Sequence, residues 1–249
     1  MTEVIRICAI IPVRNGLQAW GDVHRELLSP LASPGVEITL ADLPEAPLEA
    51  ISCSYDVELL SMLHVEAAQA AEQAGYAAVA MGCLDEPGVQ AAKEALDIPV
   101  VGETEASIHM ASMVGRRFSF LMPGETSGNQ RGAYGSRCIE DLVRMYGFED
   151  KLASVRSVTG KTLEFAARAE SLPEAMLEQA NLAMSEDGAD VVIGYGSLSV
   201  IGQLQEQLPI PVIDPIQASA MMAESLARLR IAQSKRAYPM PGILINEQE

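Results

Sequence analysis

Cys83 and Tyr195 are the side chains whose types and spacing best suit chemistry in this chain of 249 residues. Each follows a short apolar run bounded by glycine, GYAAVAMGC over Gly75 to Cys83 and GADVVIGY over Gly188 to Tyr195. Such runs read as buried parallel strands, and open parallel sheets bind ligands beyond the carboxyl ends of their strands. A thiol delivered there is a candidate acid, base or nucleophile, since cysteine has an ordinary pKa of roughly 8.5 and tyrosine of roughly 10. Pro87 suits the first turn of the helix marked by Val89, Ala92 and Leu96, and the amides and dipole of that helix favour a thiolate at Cys83. Tyr195 is better suited to donating a proton or hydrogen bond than to acting as a base. The packing alternatives are a small buried hydrophobe for Cys83 and a pocket wall for Tyr195.

The elements that position this pair can be read from the apolar runs. Ile5 to Ile11 is a strand stopped by Pro12, and the loop IPVRNG leads into a helix through Trp20, Val23, Leu27 and Leu31. Val36 to Leu40 is the next strand. A long helix ending near Ala74 follows, with Asp56 as its cap. After the Cys83 unit come a strand at Ile98 to Gly102, a helix through Ile108, Met110 and Val114, and a strand at Phe118 to Met122. The polar, glycine-bearing loop Pro123 to Gly132 suits a ligand-facing position. A helix from Arg137 to Tyr146, a strand near Ala153 to Val158 and two helical stretches complete the path to Gly188.

A repeat ties these units together. At one offset of 112, Tyr195 falls opposite Cys83, Ile210-Pro211-Val212-Ile213 opposite Ile98-Pro99-Val100-Val101, and Ala218-Ser219 opposite Ala106-Ser107. Ile7 to Pro12 match Phe118 to Pro123 at an offset of 111. Buried strands draw on few residue types, which explains each string singly but not their common offset. The expected fold is therefore α/β, with two pseudosymmetric βα half-domains, parallel sheets and a cleft between them. Residues 1–115 form the first half and 116–230 the second, with 231–249 as a C-terminal tail and the C-terminal helix as a candidate to pack on the first half.

Cleft residues follow from the strand-end loops. Arg14 is a candidate carboxylate clamp, because a guanidinium grips a carboxylate as a fork. Pro12, Asn15, Tyr55, Thr126, Gly196 and Ser197 are candidates for lining the site or binding substrate oxygens, and Glu86 is read as a helix cap.

Composition narrows the function. Net charge is −17, which excludes a nucleic-acid partner, since neutralising phosphates needs clustered Lys and Arg. The chain has no apolar run of membrane-spanning length and no signal-peptide pattern, so a cytoplasmic protein with no membrane partner is expected. Cys8, Cys53, Cys83 and Cys138 show no paired spacing and are expected as reduced thiols, with Cys8 packed in the core. His24, His64 and His109 lie in helical stretches without a second ligand, so no metal is expected, and no dinucleotide or nucleotide loop occurs. The helices Ala106 to Val114 and Ala218 to Leu226 offer more apolar surface than one core face needs, which predicts a homo-oligomer.

GCLDEPG (Gly82 to Gly88), VVGETEASIHMASMVGRRFSF (Val100 to Phe120), VVIGYGSL (Val191 to Leu198) and the IPVIDPIQASA after it resemble the aspartate/glutamate racemase superfamily. Within it the resemblance is to the hydantoin and allantoin racemases. It implies two pseudosymmetric α/β domains, one catalytic cysteine from each, no cofactor, and proton transfer at a carbon beside a carbonyl or carboxylate of a small substrate. Cys83 carries over. The second cysteine does not, because Tyr195 stands in its place, and IPVRNG replaces the family's Asn-Pro-Asn-Thr loop. The resemblance then implies one-sided chemistry: an isomerase, a decarboxylase like the arylmalonate decarboxylases, or another lyase. The alternatives are a racemase with Tyr195 as second acid/base, and a small-molecule binding protein without catalysis.

Overall fold

Strands buried on both faces account for the continuous apolar runs. The computed structural model describes residues 4–31, 33–126, 129–130, 132–161 and 171–245. β1 (Ile5–Ile11), β2 (Val36–Asp42), β3 (Ala78–Met81) and β4 (Val100–Gly102) form a parallel sheet in the order β2-β1-β3-β4. The second sheet contains β5 (Phe118–Thr126), β6 (Asn129–Gln130), β7 (Leu152–Lys161), β8 (Val191–Gly194) and β9 (Val212–Ile213). Here β7, β5, β8 and β9 lie side by side and parallel, while β6 pairs antiparallel with the end of β5. The two parallel paths are the same, with β1 matching β5, β2 matching β7, β3 matching β8 and β4 matching β9.

Side-chain alternation assigns each strand face to a separate core. Ile7, Ala9, Ala78 and Ala80 point with Phe118, Phe120, Met122, Val191 and Ile193 into one central core. The intervening Cys8, Ile10, Val79 and Met81 enter a second core on the outer side of the first sheet, and Leu121 and Val192 enter a third outside the other sheet. Burial pushes the Cys8 thiol up to about 11, as befits a core residue, and none of Cys8, Cys53, Cys83 and Cys138 is in a disulfide among the described residues.

The helices are α1 (Gly16–Leu28), α2 (Ser54–Gln73), α3 (Val89–Ala95), α4 (Glu103–Val114), α5 (Gly132–Met145), α6 (Leu172–Ser185), α7 (Leu198–Gln207), α8 (Pro215–Leu229) and α9 (Gly242–Ile245). α4 and α8 follow the equivalent strands β4 and β9. They pack on each other through Ala106, Ala111, Ala218 and Ala223, and each also reaches the other half's sheet, α8 against β1, β3 and β4, α4 against β8, β9 and β5. The apolar surface that predicted a homo-oligomer is thus covered within one chain, and that argument for assembly does not hold. Met113 and Val114, 83% and 55% exposed, are what remains of it on α4.

Local differences from the expected elements have local causes. α2 begins at Ser54 with Cys53 as its N-cap, so Asp56 lies inside the first turn and reaches back to accept from Ser52 N–H (2.8 Å) and Oγ–H (2.7 Å). α3 starts only after Gly88, whose φ of 73° caps it, which leaves Pro87 ahead of the helix instead of in its first turn. α5 begins at Gly132 instead of Arg137, and of the two helical stretches before Gly188 the described residues contain α6. Among the described residues, no helix is long and apolar enough to cross a membrane.

Candidate active site

The carboxyl ends of both sheets meet at one cleft. β1 runs into Pro12, β3 into Gly82 and Cys83, and β8 into Tyr195, and all of these line it. Trp20 and His24 from α1, Glu49, Ala50 and Ile51 from the segment before α2, and Pro123 and Ile216 complete most of the wall. The empty space is about 630 Å³, a figure that includes solvent at the open mouth.

Cys83 occupies a tight turn that its neighbours impose. Gly82 lies so close to β1 that a Cβ there would stand 2.5 Å from the Ile10 carbonyl oxygen. Cys83 itself has φ 87°, a region disfavoured for a side-chain-bearing residue at a cost of about 1–3 kcal/mol. Glu86 N–H closes the turn onto the Cys83 carbonyl (3.0 Å). The thiol donates to Asp85 Oδ2 (3.4 Å), and Asp85 is buried. The strain has a testable consequence. Cys83→Gly, which abolishes the thiol, is expected to raise unfolding free energy in urea by about 1 kcal/mol, the relief exceeding the flexibility that glycine adds to the unfolded chain. A lower stability for that variant would count against a strained turn.

The helix that clamps this turn is α4, not α3. Glu103 Oε2 accepts Cys83 N–H (3.0 Å), Thr104 Oγ1 donates to the Leu84 carbonyl (2.7 Å), and Glu105 N–H donates to Glu86 Oε1 (2.7 Å). The N-terminus of α3, the expected neighbour of the thiol, begins beyond Gly88, and the contacts that hold the turn come from the first turn of α4 instead. Glu86 does cap a helix, but the cap is on α4, which follows β4 in the chain.

Tyr195 meets this turn from the other half of the fold. Its Oη accepts Leu84 N–H (3.0 Å) and shares a hydrogen bond with Glu103 Oε2, and its ring packs 6.2 Å from that of Trp20. Burial, followed by the Glu103 charge, raises its phenol well above the usual tyrosine value, which suits a donor and not a base. Burial is also the leading cause at the carboxyls behind it. Glu103 is pushed up to about 8, with Asp214 and Glu86 adding to the shift; Asp214 and Glu86 are each raised to about 7. His24, its Nδ1 against the Trp20 carbonyl (3.0 Å), is pulled down to about 4 by burial, which leaves a neutral ring at pH 7.

The remaining candidates are spread more widely. Pro12 lines the cleft with Cys83 and Tyr195. Arg14 and Asn15 stand one layer back and hold Glu49 at the wall, at 3.5 Å and 3.2 Å, with Arg14 half exposed. Asn15 also starts α1 at φ 56°. Tyr55 is 74% exposed and is not among the lining residues. Gly196 is buried, and its N–H serves Asp214. Ser197 is buried and caps α7 through Val200 N–H (3.4 Å). Thr126 ends β5, and its side chain lies outside the described residues. Sequence reasoning passed over Glu103 and Asp214. Their signal is positional, since each carboxyl is the first residue after one of the equivalent strands β4 and β9.

Among the described residues that line the cleft there is no Lys or Arg. The arrangement presents a thiol with an adjacent carboxylate, a phenol, a raised carboxyl and apolar walls. That set can move a proton to or from carbon and donate to an oxygen, without a charged clamp for an anionic substrate.

Comparison with known proteins gives a consistent result. Residues 22–223 match the family described as Asp/Glu/Hydantoin racemase. A hydantoin racemase of Paenarthrobacter aurescens is 30% identical over 244 residues, covering 95% of this chain and 98% of that protein. A hydantoin racemase of Rhizobium meliloti is 34% identical over 175 residues, 69% of each chain. The structure of an allantoin racemase from Klebsiella pneumoniae superposes with a TM-score of 0.84 at 28% identity, over 96% of this chain and 94% of that one.

Proposed function

Since the chain belongs to the Asp/Glu/Hydantoin racemase family, we propose that it is a cofactor-independent enzyme of the isomerase type in which Cys83 exchanges a proton with a carbon next to a carbonyl. The thiolate takes the proton from carbon and the electron pair moves onto the carbonyl oxygen. The planar enolate then takes a proton either from the Cys83 thiol on the same face, which gives exchange with retention, or from water at the open mouth on the opposite face, which gives inversion. Asp85, 3.4 Å from Sγ, is placed to receive the thiol hydrogen when the thiolate forms. The observation that carries the one-sided reading is the tethering of Tyr195: its Oη is held by Leu84 N–H and Glu103, so it serves as a hydrogen-bond donor instead of a second base.

The cleft supports an uncharged carbonyl substrate. Its described lining holds two carboxyl side chains, Glu49 and Glu103, and no Lys or Arg, which disfavours malonates, maleate and free dicarboxylic amino acids. Trp20, Ile51, Ile11, Val13 and Ile216 suit an apolar substituent. A 5-substituted hydantoin, neutral and with an activated carbon beside its carbonyl, fits both requirements.

The test is proton exchange in heavy water with each enantiomer of 5-benzylhydantoin. Deuterium uptake at C5 from one enantiomer, much faster than from the other, is the expected result. Equal uptake from both with equal inversion would show that Tyr195 serves as a second base and would overturn one-sidedness. Thermal-shift binding without uptake from either would make the protein a binding module.

A further inference from the structure

The phenol of Tyr195 has one hydrogen to give and two acceptor positions, so the hydrogen count around it decides what it can do. One acceptor position is taken by Leu84 N–H at 3.0 Å. If Glu103 were ionised, its Oε2, which also accepts Cys83 N–H, would claim the phenol's only hydrogen, and none would remain for a substrate. If Glu103 carries a proton, that proton occupies the second acceptor position on Oη. The phenol hydrogen then turns into the cleft that Tyr195 lines.

We propose that Glu103 is held as a carboxylic acid and thereby makes Tyr195 the donor to the oxyanion that forms on the substrate carbonyl. The inference rests on Cys83 being the group that takes the neighbouring carbon's proton. No covalent bond to the protein forms: the C–H proton passes to sulfur, the charge appears on the carbonyl oxygen, and Tyr195 O–H hydrogen-bonds to it. Glu103 acts through Tyr195 and is a positioning residue.

The surroundings of Glu103 favour the neutral acid. It is 2% exposed. Asp214 at the N-terminus of α8 and Glu86 in the turn after β3 add like charge, Asp85, the Cys83 thiol and the Tyr195 phenol stand close by, and His24 across the cleft is neutral. The ammonium of Lys93 is matched to Glu105 (2.5 Å). Among the described residues, the N-terminal dipole of α4 and the two hydrogen bonds favour the anion. With its carboxyl at about 8, Glu103 is protonated at pH 7 and ionises above that, capturing the phenol hydrogen as it does so. A neutral carboxyl beside a tyrosine in an apolar site is an effective oxyanion partner in proton-transfer chemistry.

The experiment measures C5 deuterium exchange of 5-benzylhydantoin across the neutral and alkaline range in wild type, Glu103→Gln, Glu103→Leu and Tyr195→Phe. The glutamine does not titrate: with its amide nitrogen at the position of Oε2 it donates to Tyr195 Oη at every pH, at the cost of the Cys83 N–H contact that Oε2 also accepts. The ratio of the Glu103→Gln rate to the wild-type rate is expected to climb about tenfold by one unit above the Glu103 pKa. Glu103→Leu should be slower than Glu103→Gln throughout, and Tyr195→Phe slower than wild type by about 10²-fold at pH 7. A ratio flat with pH, or a glutamine variant no faster than the leucine one, would overturn the inference. A second readout needs no turnover: the infrared difference between wild type and Glu103→Gln at pH 7 should show a protonated-carboxyl band, and its absence overturns the inference by itself. Exchange that survives Cys83→Ser removes the reading of Cys83, and the infrared result still decides where the Glu103 proton lies.

Discussion

Cys83→Ser is expected to slow proton exchange at the substrate carbon by about 10³-fold, within the range that a positioned acid/base contributes. A serine hydroxyl ionises far less readily than a thiol, so the variant keeps the shape of the site and loses the base. The turn itself survives the exchange. Its closing contacts, Cys83 N–H to Glu103 and Glu86 N–H to the Cys83 carbonyl, are made by the backbone of residue 83 and do not involve the sulfur. Circular dichroism and the urea midpoint should therefore match wild type. A serine variant within tenfold of wild type would show that another group moves the proton.

The second large effect concerns stability. Lys93 is 2% exposed in its side chain and ion-pairs with Glu105 at 2.5 Å, with the rings of Tyr146 and Tyr238 each 5.5 Å from its ammonium. Glu105→Leu leaves that cation buried without its counter-charge, and a loss of about 3–5 kcal/mol in urea unfolding is expected. Lys93→Met together with Glu105→Leu removes both charges and should restore most of it, because the desolvation cost disappears with the pair. Additive losses in the double variant would mean that the pair is not coupled and that packing alone explains the single change. The same region supports the site, since Glu105 N–H and Tyr146 Oη–H both donate to Glu86 at the end of the Cys83 turn.

Local patterns carried the fold a long way. Parallel strands were readable because short apolar runs with glycine at their ends are local signals, and the common offset of the two halves paired β1 with β5 and β3 with β8 before any contact was known. Less was readable at helix starts. α3 begins after Gly88 and α2 begins before Asp56, because caps depend on backbone angles that neighbouring chain segments select.

For the site, the amino-acid sequence by itself determined that Cys83 and Tyr195 end equivalent strands, since strand period and glycine placement are written within a dozen residues. Tertiary packing decided the rest. Glu103 lies 20 residues from Cys83, and Tyr195 lies 111 residues from the Leu84 amide that holds it; neither distance in sequence carries any sign of contact. Arg14 looked like a clamp for substrate because its charge and loop are visible in the chain, whereas the Glu49 that engages it comes from a segment 35 residues away. Whether a carboxyl is a surface charge or a neutral acid at pH 7 depends on how much water and how many like charges surround it. For Glu103 that is set by α4 entering between the two sheets and bringing it up to Glu86, Asp214 and Tyr195, an outcome of helix packing that no stretch of sequence around residue 103 encodes.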